Sequence, residues 1–453
     1  MRKGFTFDAA RCVSCNACNA ACMLENGLQP GTRSLFVWNE AALPLKNVIN
    51  LSMACNHCEE PVCASGCPAS AYTIDSGGAV IHHPERCMGC GYCTWSCPYD
   101  APKINPALGY IEKCHFCAGR ATEGIEPACV TACPTGALKI TESDNFDHTL
   151  PSWFPDTGIK PSLFLTGMDN PGKPEIIPSN NDPEETNAVV AAVTDGRYDK
   201  TGKLKQEWSL AVFSLLIIAA AAMLIVSAVS GNNTGGLIPF LLMAGALAVS
   251  VTHLGVPGKA WRAVLHVRSS PLSREIVMVL LLTLTSMANW LWPYLIPPPV
   301  IITVSLLTLI SLDLVYFGAD RSVNIRLHSG QAFFTSIYAV SWFIEPGIIF
   351  ILFSMLAAIS VVRRYRSTEG DQAERILYFT RAMALPLVFM LIYPGNPATD
   401  IAALALFIAG MTADRLLFYL DFNPPDIKRS IKEHFKTEYE KERDKQRQDS
   451  GLS

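Results

Sequence analysis

Every cysteine in the chain lies between Cys12 and Cys133, and the spacing of these residues constrains the fold more than any other feature. The sixteen cysteines form four quartets with none left over: Cys12, Cys15, Cys18 and Cys22; Cys55, Cys58, Cys63 and Cys67; Cys87, Cys90, Cys93 and Cys97; Cys114, Cys117, Cys129 and Cys133. In such runs, three cysteines on a tight loop bind one iron–sulfur cubane and the fourth binds a neighbouring one. The spacing therefore predicts four [4Fe–4S] clusters held close together, an arrangement that conducts electrons.

The residue after each fourth cysteine strengthens this interpretation. Proline follows directly in three quartets, at Pro68, Pro98 and Pro134, whereas the first quartet has Met23 there. Zinc ribbons also use CxxC pairs, but not four quartets with this ending. A disulfide framework is typical of short secreted chains, not of a chain of 453 residues that is half apolar.

The order of the quartets suggests which cysteines share a cluster. Quartets two and three span only Cys55 to Cys97, so we expect them to exchange their fourth cysteines, and the outer quartets to pair across them. The expected ligand sets are Cys55, Cys58, Cys63 and Cys97; Cys67, Cys87, Cys90 and Cys93; Cys12, Cys15, Cys18 and Cys133; and Cys22, Cys114, Cys117 and Cys129. Pairing of quartet one with quartet two is an alternative that the spacing leaves open.

The amino-acid composition differs sharply between the first and second parts of the chain. It is polar and rich in cysteine and proline up to about residue 205, and then dominated by apolar residues that raise the mean hydropathy to +0.24. We expect an α+β ferredoxin-like cluster domain at 1–140, followed by a proline-rich linker or arm at 141–205. An all-α membrane bundle is expected at 206–422 and a charged tail at 423–453. The net charge of −4 argues against a nucleic-acid partner. Arg2 and Lys3 precede no apolar segment, so no signal peptide is expected.

Apolar blocks after Trp208 are long enough to cross a bilayer, which requires about 20 residues. The predicted blocks are 208–230, 236–256, 274–296, 298–317, 331–362, 376–394 and 399–420. The fifth contains Glu345 and Pro346, so it is one kinked helix or two shorter ones, and the bundle has seven or eight spans. Lysine and arginine are equally frequent on the two sides of a seven-span bundle, so the positive-inside rule does not orient it.

One polar stretch at the end of the second block suits a quinol headgroup. A quinol loses two protons as it gives up two electrons, and an imidazole or carboxylate can accept them. The candidate residues are His253, Trp261, Arg262, Arg274, Glu275 and Arg415. The alternative is an ordinary interfacial loop. Because His253 is the only histidine clearly inside a predicted span, the axial pair that haem b requires is missing, and no haem is expected.

The cysteine motifs at 87–99, 113–117 and 127–137 resemble the four-cluster subunit of dimethyl sulfoxide reductase-type molybdoenzymes, over roughly residues 1–180. The stretches HLGVPGKAWRA and RSSPLSREI, with Arg415 to Tyr419, resemble the membrane anchor of the same enzymes, which oxidises menaquinol without haem. The family usually keeps these parts on separate polypeptides, so the resemblance implies a natural fusion. It also implies the ligand exchange described above, His253 as the quinol-site histidine and eight spans. Cys90 stands where the nitrate reductase branch has tryptophan, which implies four cubanes.

Together these features predict an electron-transfer and membrane-anchor subunit in the bacterial plasma membrane, with the side of the clusters undetermined. It would oxidise menaquinol and pass electrons through four clusters to a molybdopterin subunit that reduces dimethyl sulfoxide or a similar acceptor. The chain has no nucleotide-binding glycine loop and no nucleophile–base pair, so the terminal chemistry is expected on that partner. One alternative is the reverse current, from a dehydrogenase partner to quinone. Another, of a different class, is a membrane-bound redox sensor.

Overall fold

The computed structural model divides the chain into two compact units, Met1–Tyr198 with Pro424–Ser453, and Asp199–Asn423. The residues it describes are 1–38, 49–143, 146, 150–151, 154–155, 157–167, 200–231, 236–319, 331–344, 376–377, 380, 397–422, 427 and 430–431.

The first unit is built from short strands and short helices. Its strands are β1 (Arg2–Asp8), β2 (Ser34–Trp38), β3 (Ile49–Met53), β4 (Tyr72–Ile74), β5 (Val80–His82), β6 (Lys103–Asn105), β7 (Tyr110–Glu112), β8 (Leu138–Ser143) and β9 (Leu163–Thr166). Its helices are α1 (Ala17–Asn26), α2 (Val62–Ser65), α3 (Tyr92–Ser96), α4 (Ala118–Thr122) and α5 (Ala128–Thr131). Cysteine, glycine and proline interrupt every periodic run, so no described element of this unit exceeds ten residues.

A three-stranded sheet brings the beginning of the first unit together with its later segments. Strand β1 lies in the middle, antiparallel to β8 and parallel to β9, so that Phe5 pairs with both Ile140 and Leu163. Phe5 and Phe7 alternate along β1 and are both buried in the core, as expected for a strand with one face inward. The other strands form the hairpins β2–β3, β4–β5 and β6–β7.

The first unit extends beyond the predicted boundary at residue 140. Strand β8 ends at Ser143, and β9 lies within the segment predicted as a linker. The charged tail also contributes, because the side chains of Ile427 and Ile431 are fully buried in the apolar core of this unit. Side chains four residues apart lie on one face of a helix, so these two isoleucines form one apolar contact.

The second unit is helical throughout its described residues outside short connections. Its elements are α6 (Lys200–Ser230), α7 (Leu237–Thr252), a 3₁₀ helix (Pro257–Val264), α8 (Pro271–Leu291), α9 (Pro298–Ala319), α10 (Ala332–Ile344) and α11 (Pro397–Asp421). Helix α6 is central and packs against α7, α9, α10 and α11. Its alanines, including the buried Ala220 and Ala221, allow neighbouring backbones to approach closely, as is common between membrane helices.

Three helical segments are long and apolar enough to cross a membrane: Trp208–Ser230, Pro271–Leu291 and Pro298–Phe317. A fourth is possible if α7 and the following 3₁₀ helix, bent by 116° relative to each other, form one broken span. The predicted blocks 331–362 and 376–394 lie largely outside the described residues, which include only α10 and three residues of the latter block. The total of seven or eight spans therefore stays a prediction.

Candidate metal centres

The first CxxC turn of each quartet has the same backbone conformation. In each, the residue before the second cysteine is left-handed: Ser14 (φ 58°), His57 (φ 45°), Gly89 (φ 70°) and Phe116 (φ 63°). The backbone N–H groups of Gly89 and Phe116 donate hydrogen bonds to the sulfur of the first cysteine of their turns, at 3.4 and 3.5 Å. A left-handed conformation costs a non-glycine residue about 1–2 kcal/mol, so its recurrence at three such residues indicates a shared structural requirement.

The sixteen cysteines surround four cavities, which we name sites A to D. Site A is lined by Cys12, Cys15, Cys18 and Cys133, site B by Cys22, Cys114, Cys117 and Cys129, site C by Cys55, Cys58, Cys63 and Cys97, and site D by Cys67, Cys87, Cys90 and Cys93. Each cavity is thus lined by one expected ligand set, while ligation of iron by these sets stays a prediction.

The spacing of the thiols within each site fits a cluster better than a single ion. A tetrahedral zinc site holds four sulfurs at about 2.3 Å from one metal. Within the described ranges, no group of three or more His, Cys, Asp or Glu side chains is compact enough to hold one ion. The thiols instead stand around a space, as the corners of a cubane require.

Burial also disfavours the thiolate form of these cysteines unless a metal cation is bound. Removal from water raises the pKa of Cys22 and of Cys97 to about 11 each. A buried thiolate of this kind forms when a metal cation replaces its proton. Binding of metal at these sites would therefore be coupled to deprotonation of the thiols and to folding of the surrounding loops.

The four sites form a series, because a polar side chain lies between each pair of neighbours. Arg33 interacts electrostatically with Cys18 of site A and with three cysteines of site B. Lys113 interacts with Cys55 and Cys63 of site C and with Cys114 of site B. Tyr72, whose hydroxyl is buried, interacts with Cys63 of site C and with two cysteines of site D. The order along the unit is therefore A, B, C, D.

Exposure differs along this series. In site A, Cys15 is exposed and the other three cysteines are partly exposed, whereas all four cysteines of sites B and C are buried. In site D three are buried and Cys90 is partly exposed. Val13, which lines site A, is 62% exposed.

Two histidines inside CxxC turns make backbone hydrogen bonds. His57 is fully buried, and its Nδ1 accepts the N–H of Val80 at 3.0 Å. Nδ1 of His115 accepts the N–H of Ala118 at 3.1 Å. Burial, followed by the charge of Lys113, holds the pKa of His57 well below its usual value, so His57 is a neutral neighbour of the sites.

Comparison with known proteins is consistent with this geometry. Residues 47–143 match the family model of the 4Fe-4S dicluster domain. One relative is a component of the anaerobic dimethyl sulfoxide reductase of Haemophilus influenzae, 37% identical over 31% of this chain and 74% of its own length. Another is a component of the tetrathionate reductase of Salmonella typhimurium, 32% identical over 37% of this chain and 74% of its own length.

A third relative is the formate dehydrogenase iron–sulfur subunit of Wolinella succinogenes, which is 34% identical over 32% of this chain and 83% of its own length. This protein belongs to the iron–sulfur subunit family of dimethyl sulfoxide reductase-type oxidoreductases. The matches cover about a third of this family member, and its helical second unit is consistent with fusion to a membrane part.

In this family member, the residues predicted to bind quinol lie in two places. Some lie in the segment that connects α7 to α8, and the others lie in a buried polar cluster. His253 follows the last residue of α7, and its Nδ1 is a buried atom without a hydrogen-bond partner among the described residues. Trp261 is 62% exposed, with the guanidinium of Arg262 at 5.2 Å from its ring centre. Arg274 is exposed and donates hydrogen bonds to the carbonyls of Val267 and Arg268 at 3.0 and 2.7 Å.

Glu275 and Arg415 belong to a buried polar cluster in the helical unit. Both are buried, and Arg415 is the strongest charged neighbour of Glu275, followed by Asp313. The Nε of Arg415 donates to Oγ of Ser214 at 2.9 Å, and its guanidinium lies 4.4 Å from the ring centre of Phe418. The structure therefore brings Glu275 and Arg415 together and associates Asp313 with them.

The sequence did not identify several members of these sites. Tyr316 and Tyr419 share a hydrogen bond of 2.8 Å beside Arg415, yet aromatic residues in an apolar helix carry no signal of such a role. Arg33 lies far from any cysteine motif and gave no signal either. Lys113 directly precedes Cys114, and that adjacency is the one signal that could have found it.

Proposed function

We propose that this chain is the electron-transfer and membrane-anchor subunit of a molybdopterin oxidoreductase. It oxidises menaquinol in the helical unit and delivers the electrons to a catalytic partner that reduces dimethyl sulfoxide or a similar acceptor. The observation that carries the proposal is the grouping of all sixteen cysteines around four cavities in series. The similarity to components of three kinds of oxidoreductase supports it.

The cysteines of sites A to D hold four [4Fe–4S] clusters, which supply one-electron transfer. The protein keeps water away from the middle of the series, where every cysteine of sites B and C is buried. The left-handed residues of the CxxC turns orient successive thiols toward each cavity. Electrons can then enter at one end of the series and leave at the other.

Site A suits the end that faces the catalytic subunit. Its cysteines are the most exposed of the four sets, and the exposed apolar side chain of Val13 lines it. Apolar side chains at a surface favour a protein partner. A partner docked there would exclude water from site A and shorten the electron path.

The quinol site is proposed at His253. The buried Nδ1 of this residue has no hydrogen-bond partner within the described part of the chain, and a buried polar atom of this kind calls for a ligand or water. A quinol hydroxyl could donate to it and transfer its proton as the electrons leave. Quinol becomes quinone by losing two electrons to the clusters and two protons to polar side chains and water.

The helical unit is the part of the chain that we propose to lie in a membrane. We propose a multi-pass protein of the bacterial plasma membrane, in contact with lipid and the quinone pool. The three segments able to span a bilayer support this location.

Metal analysis tests the cluster content. The purified full-length chain should contain about sixteen iron atoms and a matching amount of acid-labile sulfide. Zinc in place of iron, or about four irons, would contradict the proposal. Mass spectrometry of the intact complex should identify a companion subunit that contains molybdopterin.

Replacement of His253 tests the quinol site. His253→Ala should reduce the rate of cluster reduction by a menaquinol analogue in membranes at least tenfold, while dithionite still reduces all clusters. The matched control is His266→Ala, in the same connection between α7 and α8, which should retain the wild-type rate. A wild-type rate in His253→Ala would remove this residue from the site.

The reverse current is the second candidate. It is favoured by the similarity to a formate dehydrogenase iron–sulfur subunit. In that case a dehydrogenase partner reduces the clusters, and the helical unit reduces quinone. Cluster potentials above that of the quinone couple support quinol oxidation, whereas potentials below it support the reverse direction.

A further inference from the structure

Two buried cations separate neighbouring sites in the first unit. Arg33 is 1% exposed and Lys113 is 3% exposed. Among the residues of this unit whose burial the structure describes, no other lysine or arginine is buried. Cations of this kind are seldom fully buried without a partner of opposite charge, so their position between cysteine sites requires an explanation.

Arg33 lies between sites A and B. Its Nη1 donates to Oγ of Ser52 at 3.0 Å, and the same hydroxyl lies 3.3 Å from the sulfur of Cys18 in site A. Its guanidinium lies 5.0 Å from the ring centre of Phe5, which lines site B. Its Nε and Nη2 are buried without a hydrogen-bond partner in the described part of the unit. Arg33 is therefore held by one hydroxyl and one ring, and the thiol of Cys22 in site B is a further hydrogen-bonding neighbour.

Lys113 lies between sites B and C. Its Nζ donates to the carbonyls of Val80 and Cys114, at 2.5 and 2.6 Å. Lys113 lines the cavity of site C, and Cys114 is a cysteine of site B. Both carbonyl acceptors are neutral, so they do not balance the charge of the ammonium group, and the further hydrogen-bonding neighbour is the thiol of Cys55 in site C.

The missing countercharge is available at the sites themselves. No ion pair with a carboxylate involves Arg33 or Lys113 among the described residues. A cubane with four thiolate ligands is anionic and becomes more negative when it accepts an electron. A fixed cation nearby stabilises the reduced form more than the oxidised form, particularly where water is excluded, and net charge is one of the factors that set cluster potentials.

We propose that Arg33 and Lys113 tune the cluster potentials, Arg33 at sites A and B and Lys113 at sites B and C. Site B lies beside both cations and site D beside neither. The neutral hydroxyl of Tyr72 occupies the corresponding position between sites C and D. The two cations thus raise the reduction potentials of the clusters in sites A, B and C. The cluster in site D has no buried cation beside it, so its potential is not raised in this way. This inference rests on the four clusters of the proposed function.

Substitution of Lys113 separates the effect of charge from that of hydrogen bonding. Lys113→Met removes both, whereas Lys113→Gln removes the charge and keeps a donor for the two carbonyls. The measurement is a redox titration of the full-length chain in membranes, followed by electron paramagnetic resonance, with signals assigned by one Cys→Ser replacement in each site. Both variants should shift the midpoint potentials of clusters B and C to more negative values and leave cluster D unchanged.

Arg33 is tested in the same way and gives a different pattern. Arg33→Met should lower the potentials of clusters A and B and leave C and D unchanged, whereas Arg33→Lys, which keeps the charge, should retain most of the wild-type potentials. The matched control is Lys139→Met on β8, an exposed lysine of the same unit, whose charge is screened by water. It should shift every potential much less than either buried substitution.

Three results would overturn the proposal. These are wild-type potentials in Lys113→Gln, equal shifts of all four clusters in either variant, or shifts no larger than those of Lys139→Met. Iron content is measured on each sample. If a methionine variant does not assemble its clusters, Lys113→Gln and Arg33→Gln, which remove the charge and keep a hydrogen-bond donor, decide the outcome by the same expected shifts. A wild-type chain without about sixteen irons would contradict the proposed function itself, a failure distinct from unshifted potentials in a fully loaded chain.

Discussion

Single residues in the CxxC turns connect the sequence directly to the proposed cluster chemistry. The position before the second cysteine is left-handed in all four turns, but only the third turn has glycine there, at Gly89. Ser14, His57 and Phe116 hold the same conformation at a steric cost that the surrounding fold must offset. The backbone conformation is therefore a property of the site, and the amino acid at that position is free to serve a second purpose, as His57 does.

The conformation of Gly89 can be tested with a minimal substitution. Gly89→Ala adds a side chain at a positive φ and should cost about 1–2 kcal/mol, measured as a lower thermal midpoint and reduced iron at site D. The control is Gly119→Ala in α4, where an added Cβ meets no atom within 4 Å. Alanine should be neutral or slightly stabilising in that helix. Equal effects of the two substitutions would show that the turn conformation is unimportant.

At the scale of elements, each site combines a tight turn with a cysteine from elsewhere in the unit. Site D takes three cysteines from the turn and helix at 87–93 and one, Cys67, from the end of α2. Site A takes Cys133 from the segment before β8. The sites therefore hold the short elements together, which explains how a unit with so little regular structure can be stable once loaded.

If quartets two and three exchange their fourth cysteines, cysteines from different quartets bind the same cluster. Replacing either one should then alter the same cluster signal. Cys67→Ser and Cys90→Ser should each alter or remove the same resonance signal, that of site D, although the two residues belong to different quartets. Cys97→Ser, the control from the same quartet as Cys90, should instead affect site C. Electron paramagnetic resonance of the reduced protein measures this, and a common effect of Cys90→Ser and Cys97→Ser would contradict the exchange.

A second prediction at this scale concerns the beginning of α10. Asp313 on α9 accepts the backbone N–H groups of Ala332 and Phe333 at 2.8 and 3.0 Å and so caps this helix from its neighbour. Asp313→Ala leaves both donors unpaired and should destabilise the helical unit by about 1–2 kcal/mol. Asp313→Asn keeps one acceptor and should lose less. Thermal unfolding in detergent provides the measurement, and equal losses would exclude capping as the cause.

At the scale of the whole molecule, the chain leaves the first unit before α6 and returns to it after α11. Residues up to Tyr198 and residues from Pro424 onward belong to the same compact unit, and the buried side chains of Ile427 and Ile431 belong to its core. A unit folded on one side of a bilayer requires an even number of crossings between those two segments. This argument favours eight spans over seven.

Topology reporters test this parity. Reporter fusions at the N-terminus and at the C-terminus should indicate the same side of the membrane. Ile427→Asp with Ile431→Asp should weaken the attachment of the tail and increase its protease sensitivity without changing the side. Termini on opposite sides would exclude an even number of spans.

The sequence alone determined the local chemistry of this protein. Cysteine spacing predicts cluster-binding turns because each CxxC turn is a local structure, and the apolar blocks predict membrane helices because hydropathy is a local property. The relatives confirm the family, and the structure contains three helices long and apolar enough to cross a membrane, or four if the bent pair is one span.

Tertiary structure decided what lies beside each site. Arg33 comes eleven positions after Cys22, the nearest cysteine in sequence, yet it lies between two sites because the loop after α1 folds back over Phe5. Arg415 and Glu275 are 140 positions apart and come together through helix packing. The burial of each site and the charged side chains beside it depend on which helices, strands and loops pack together there. The composition of a segment does not specify its neighbours, because packing selects them from the whole chain.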